Sequence, residues 1–344
     1  MEIIKEIAFK VVNQVLQIKA GQFVSILGTI YNKESDQFGA LIPLLEELSL
    51  KIKEKGAFPV LEITTERLSE KYVENFDEED MEFPIEFYRN KINQYDKFIE
   101  ISNVEEISLT ENIPEIVLYK MRLWSSKIWD MILKRKKQMV LIDFPSETLA
   151  NYYDLDFDNL LKNYLATLNY DYNYFNDIFD KVYEKFNSTS GLKISCNHYE
   201  LELLCKKDNL EIYSGMSNLA NFSLLPSGKV EFHAAPTSIE GSFYAERIYF
   251  KQFCFENSVC FFEERRIKDI KQENPDKNFY HMQNFIYDHQ DEIQVVIGVN
   301  PALDKYSGYP FLDEIKKDNI TLRIGNKDGK KVRFCNSNSE IKTV

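Results

Sequence analysis

The sequence predicts a two-domain α/β protein: an N-terminal open α/β layer domain on a mainly parallel sheet, then a C-terminal mixed α+β domain. Three observations predict it. The chain has 344 residues, and a length of that order suits about two domains. Its first half alternates short apolar runs with segments of helical period, the pattern of βαβ units and a parallel sheet. Beyond Asn187-Ser188-Thr189-Ser190-Gly191, a polar stretch with linker composition, the texture changes to short strands separated by turn residues. The expected domains are 1–188 and 189–344.

Glu6–Leu16 has apolar residues at helical spacing and is stopped by Ala20-Gly21. Gln22–Leu27 reads as a buried strand, Gln37–Lys55 as a helix ended by Gly56, and Phe58–Ile63 as the next strand. Phe98–Ile101 and Met139–Ile142 continue the alternation, with helices around Pro84–Asn93 and Ile116–Arg135. A long helical stretch covers Phe157–Phe186. Leu192–Cys196, Tyr199–Lys206 and Leu210–Tyr213 read as strands, with a turn at Lys207-Asp208-Asn209. Arg247–Phe255 and Ser258–Glu264 read as a hairpin about Glu256-Asn257. A helix over Tyr280–Gln290 and strands at Gln294–Val299 and Ile320–Ile324 complete the reading.

Composition excludes several classes. With 44% hydrophobic and 14% aromatic residues, the chain has ample material for cores and is not a disordered protein. A net charge of −13 argues against nucleic-acid and anionic-membrane binding. No apolar run approaches the ~20 residues of a membrane span, and Met1-Glu2-Ile3-Ile4-Lys5 opens no signal peptide. Five cysteines without metal-type spacing suit reduced thiols, so a cytoplasmic location is expected. No glycine-rich phosphate loop follows any strand.

The stretch that organises the chain is LPSGKVEFHAAP, Leu225–Pro236, continued by Ile239-Glu240-Gly241. Pro226-Ser227-Gly228 reads as a tight turn and Val230–Ala234 as a strand stopped by Pro236. A turn of this kind holds Lys229 at a strand end, a rigid place for a site. This stretch resembles the P-x-G-E-V-F-x-A-P signature of the thermophilic metalloprotease family, the dinuclear-metal aminopeptidases of the T and S type. The ring-cleaving dihydroxypyridine dioxygenases resemble it more distantly. IKAGQFVSI, EKGAFPV, Phe144-Pro145-Ser146…Ala150, Ile297-Gly298-Val299-Asn300-Pro301 and Asp313-Glu314…Thr321-Leu322-Arg323-Ile324-Gly325-Asn326 are similar to elements of the same family, in the same order. The resemblance implies that the C-terminal domain carries the family's active-site cleft.

A co-catalytic metal pair needs carboxylates and imidazoles converging on one pocket. At the positions where the family places ligands, this chain has Lys229 for the first acid, Gln294 for the second and Arg323 for the first histidine. Lys330 stands near the tyrosine, and the final His-x-Asp would fall beyond Val344. The framing residues Pro226, Gly228, Pro236, Gly298, Asn300, Pro301 and Gly325 remain. Protonated Lys and Arg donate and do not accept, so they do not ligate a divalent cation. The resemblance therefore implies an aminopeptidase-like protein that has lost metal-dependent hydrolysis, with no metal and no cofactor.

Glu231 and His233 share one face of their strand, with Glu240 further along it; solvated side chains are the expectation against a rebuilt metal site. His281 and His289, with Asp288 and Asp291, are expected to be surface polar groups, and His198 a turn residue. Lys229 and Arg323 should project into one cleft. Either they clamp an anion, such as a peptide carboxylate, amino acid or phosphate, or they pair with buried acids such as Glu231, Asp313 or Glu314. The expected ligand-binding set is Lys229, Arg323, Glu231, Gln294 and His233, and the ligand a peptide or amino acid. The expected role is partner or accessory in a peptide-modifying pathway, as a homodimer or in a heteromer. The alternatives are an enzyme with metal-free chemistry rebuilt in the cleft, or an active metalloaminopeptidase with relocated ligands.

Overall fold

The computed structural model describes residues 2–30, 40–65, 68, 84–103, 115–187, 191–213, 215, 221–264, 266–326 and 331–343. The chain forms two compact units, Met1–Asn151 with Gly215–Pro226, and Tyr152–Ser214 with Ser227–Val344. These divide differently from the expected 1–188 and 189–344. The change of texture near residue 190 marks a passage from helix to strand inside the second unit.

The first unit holds a five-stranded parallel sheet. β1 (Phe23–Ile30), β2 (Phe58–Thr65), β3 (Lys97–Asn103), β4 (Gln138–Phe144) and Phe222–Leu225 (β7, because β5 and β6 precede it in the chain) lie in the order β2-β1-β3-β4-β7. Helix α2 (Leu41–Glu54) buries Leu41, Leu44, Leu45, Leu48 and Ile52, the stripe that helical spacing dictates. Gly28 of β1 makes room for it, since a Cβ there would stand 2.7 Å from Leu45 Cδ1. Tyr95, Phe98 and Met139 form a core cluster with Ile92 of α3 (Ile85–Gln94) and Ile132 of α4 (Glu115–Lys134). β7 was not expected, because its four residues carry no period long enough to read.

The second unit is a nine-stranded antiparallel sheet: β5 (Gly191–Cys196), β6 (Tyr199–Tyr213), β8 (Lys229–Phe250), β9 (Phe253–Glu263), β10 (Arg266–Gln272), β11 (Glu292–Gly298), β12 (Ile320–Gly325), β13 (Lys331–Asn336) and β14 (Glu340–Thr343). Its helices include α6 (Phe157–Leu168) and α7 (Tyr172–Asn187), which divide the expected single stretch, and α8 (Lys277–Asp288), capped by Asp276. β8 is long enough to pair β11 near its start and β13 near its end. Because β11 pairs β12 and β12 pairs β13, the four strands curl into a closed ring.

Three local expectations are corrected. Pro236 does not stop the strand: the β6 ladder skips from Ala234 to Ile239, leaving Pro236 in an irregular stretch where no N–H is required. The hairpin turns at Lys251-Gln252, where Phe250 pairs Phe253, and not at Glu256-Asn257. Asn257 adopts a left-handed φ of +53°, but inside β9. Residues 199–213 form a single strand whose ladder shifts register twice, and not two strands.

Candidate functional site

The LPSGK turn is held by the Ile297–Pro301 stretch. Gly228 takes a φ of +117°, and a Cβ there would lie 2.8 Å from Asn300 Cβ, so both conformation and space call for glycine. Val299 N–H donates to Gly228 O (2.8 Å), and Asn300 Nδ2 donates to Ser227 O (2.9 Å). Asn300 also donates its N–H to Ile315 O, 2.8 Å away, at the end of helix α9 (Pro310–Ile315). Gly298 packs directly under that helix end, where a Cβ would meet Lys316 O at 2.1 Å and Glu314 O at 2.6 Å. The motif residues thus fix α9 against the first residues of β8.

Strand register then sets one polar face. Across the ring His233 pairs Gln294, Gln294 pairs Arg323, Arg323 pairs Arg333, and Arg333 pairs Tyr249. Lys229 and Glu231 lie on the same face by alternation. The other face is apolar and buried, with Val230, Phe232, Val295, Leu322, Ile324, Val332 and Phe334. Helix α9 brings Asp313 and Glu314 onto the polar side.

Five charged side chains meet there. Glu231 Oε1 lies 2.6 Å from Lys229 Nζ and 2.9 Å from Arg323 Nη1. Glu314 Oε1 accepts from Arg323 Nε and from Arg333 Nε, each at 2.6 Å; its Oε2 pairs with Arg323 Nη2 and lies 4.0 Å from Lys229 Nζ. Two arginines directly opposite on neighbouring strands repel; the Glu314 carboxylate between their Nε atoms resolves that repulsion. Gln294 Oε1 accepts from Arg323 Nη1 (3.2 Å), and its Nε2 donates to Glu292 (2.9 Å). Lys229 Nζ stands 5.6 Å from the centre of the Phe311 ring. Beside this cluster Asp313 accepts from Tyr249 Oη (2.5 Å) and Ser307 Oγ (2.7 Å), while Arg247 donates to Tyr249 Oη (3.3 Å).

The electrostatics follow from burial and pairing. Burial alone would raise the Glu314 carboxyl, but Arg323 and Arg333 hold it far below the ordinary range. Burial lowers the Lys229 amine, and Arg323 lowers it further, against the pull of Glu314 and Glu231. Burial likewise raises Asp313. A depressed carboxyl stabilises the fold above its unfolded value, and that contribution disappears as pH falls through the folded value. Urea unfolding of wild type and Glu314→Gln should therefore differ most near neutral pH and converge in acid. A gap that stays constant down to pH 2 would show that Glu314 is not held ionised.

The structure joins Lys229 and Arg323 through Glu231 and Glu314, with Gln294 in contact. It places Glu231 beside the basic pair rather than in solvent. The His233 backbone pairs Gln294, and Lys330 lies outside the described residues. Glu240 and His198 are exposed, His281 is exposed beside Phe250, and His289 stacks on Phe285 at 4.7 Å. Among the described residues no group of three or more His, Cys, Asp or Glu could hold a metal ion, and no helix is long and apolar enough to cross a membrane. Sequence reasoning missed Arg333: only its register opposite Arg323 brings it in, and β13 follows a stretch where the family motif is least distinct.

Comparison with solved structures gives the fold as aminopeptidase-like. The chain is similar to wild-type AmpT from Thermus thermophilus, with a TM-score of 0.66 over 100% of this chain and 95% of that one. Identity is 12%, so the likeness shows the fold alone. No family model matches the sequence, and neither does any curated protein.

Proposed function

We propose that this chain binds a peptide or amino acid and does not carry out metal-dependent hydrolysis. The observation that supports it is the occupation of the polar face by mutually paired side chains. A pair of divalent cations needs carboxylate or imidazole lone pairs that are not already engaged. Here both carboxylates in the cluster, Glu231 and Glu314, already contact cationic nitrogens at 2.6–2.9 Å. Lys229 and Arg323 offer only donors, so the residues do not fit a metal pair. Purified protein given zinc, cobalt or manganese should retain no stoichiometric metal and should not hydrolyse aminoacyl nitroanilides. About two tightly held equivalents, with activity abolished by chelator, would overturn this.

A second reading has one observation behind it. Burial and Arg323 lower the Lys229 pKa, enlarging the neutral fraction in which a lysine acts as base or nucleophile. Turnover of a dipeptide by metal-free protein, lost in Lys229→Met, would favour rebuilt chemistry over binding alone.

A further inference from the structure

The five-residue cluster holds three cations, Lys229, Arg323 and Arg333, against two anions, Glu231 and Glu314. Asp313 and Arg247 lie beside it, joined through the Tyr249 phenol, with Glu256 3.7 Å from Arg247. Exposure of the side chains locates the cluster's excess cation. Glu314 is 1% exposed, Glu231 5%, Lys229 6% and Arg323 12%, whereas Arg333 is 34% exposed. Arg333 contacts Glu314 through Nε. A guanidinium carries five N–H donors in a rigid plane, and the four on its Nη atoms match a carboxylate in two-pronged fashion.

Aromatic side chains reach the same cluster at Lys229. Tyr153, whose phenol burial raises and Arg333 lowers, has its ring 5.6 Å from Tyr309; Tyr309 in turn lies 6.1 Å from Phe311. Phe311 carries Lys229 over its face. A partly exposed cation on a cluster flanked by two half-buried rings, Tyr153 and Phe311, with Tyr309 buried between them, suits a ligand with one anionic group on an apolar body.

We infer that Arg333 receives the free α-carboxylate of an amino acid or short peptide whose apolar side chain lies against Tyr153 and Phe311, with Tyr309 packed between them. This deepens the binding role proposed above and rests on it. Lys229 and Arg323, the pair singled out by the sequence, are then the support that holds Glu314 and through it Arg333, and not the groups that touch ligand.

Titration calorimetry with N-acetylphenylalanine, its C-terminal amide and N-acetylglycine tests the assignment. The acid should bind at least tenfold tighter than the amide, and N-acetylglycine should bind more weakly than N-acetylphenylalanine. Arg333→Gln should remove the preference for acid over amide, and Arg333→Lys should keep part of it. Equal binding of acid and amide by wild type would overturn the Arg333 assignment and leave the peptide-binding role standing. No detectable binding of any of the three at millimolar concentration would overturn both. Should Arg333→Gln fail to fold, the acid-to-amide ratio in wild type and in Arg333→Lys decides.

Discussion

Arg323→Ala should lower the stability of the protein by ~3–5 kcal/mol, the cost of breaking a buried, hydrogen-bonded ion pair from one side. Arg323 touches both carboxylates of the cluster, and its removal leaves Glu231 with Lys229 and Glu314 with Arg333 as contacting cations. The loss should appear in denaturant unfolding without added ligand. Arg323→Lys should recover only part of it, because an ammonium cannot span Glu231, Glu314 and Gln294 as the guanidinium does. A cost below about 1 kcal/mol, the range of exposed pairs, would mean that the cluster is hydrated and the pair is available to ligand after all.

Gly298→Ala should be comparably severe by a different route. The new methyl would meet backbone oxygens, Lys316 O at 2.1 Å and Glu314 O at 2.6 Å, and not the end of a side chain that can swing away. Overpacking typically costs 1–3 kcal/mol; with backbone as the obstacle, a loss of about 3 kcal/mol or more is expected. The shift would move α9, so the pairing of Glu314 with both arginines should weaken as well. Gly21→Ala is the converse control: Gly21 has a positive φ, +82°, which Gly298 does not, and nothing lies within 4 Å of its Cβ position, so it reads backbone strain without overlap. Equal melting temperatures for Gly298→Ala and wild type would refute the close packing.

The parallel sheet was legible because each strand and helix carries its own period. Phe23–Ile30 and Phe58–Thr65 are runs of apolar residues, and Leu41–Ile52 is a regular stripe. The site was legible in its framework, since Gly228, Gly298 and Asn300 have strict steric or hydrogen-bonding duties that leave a motif. Lys229 and Arg323 share one cluster with Glu231, which is buried there and not solvated, and of the two roles offered for the basic pair the geometry has the internal ion pairs. Arg333 and β7 were not legible. A cross-strand partner is fixed by register between segments distant in sequence, and four residues of strand cannot announce which sheet they join. The Glu256-Asn257 turn was misplaced because a left-handed residue signals a bend without saying whether the strand ends there.

Arg323 and Arg333, facing one another across β12 and β13, bear on how the ring assembles. Two strands that present like charges at the same rung pair less well at that rung, so β12 and β13 need a counter-charge there. Glu314 precedes that strand pair by only a few residues, yet it reaches the shared rung only once α9 is seated on Gly298 and Asn300. The seated helix therefore acts as a latch on that strand pair: its apolar rungs pair without help, but the arginine rung is neutralised only with α9 in place.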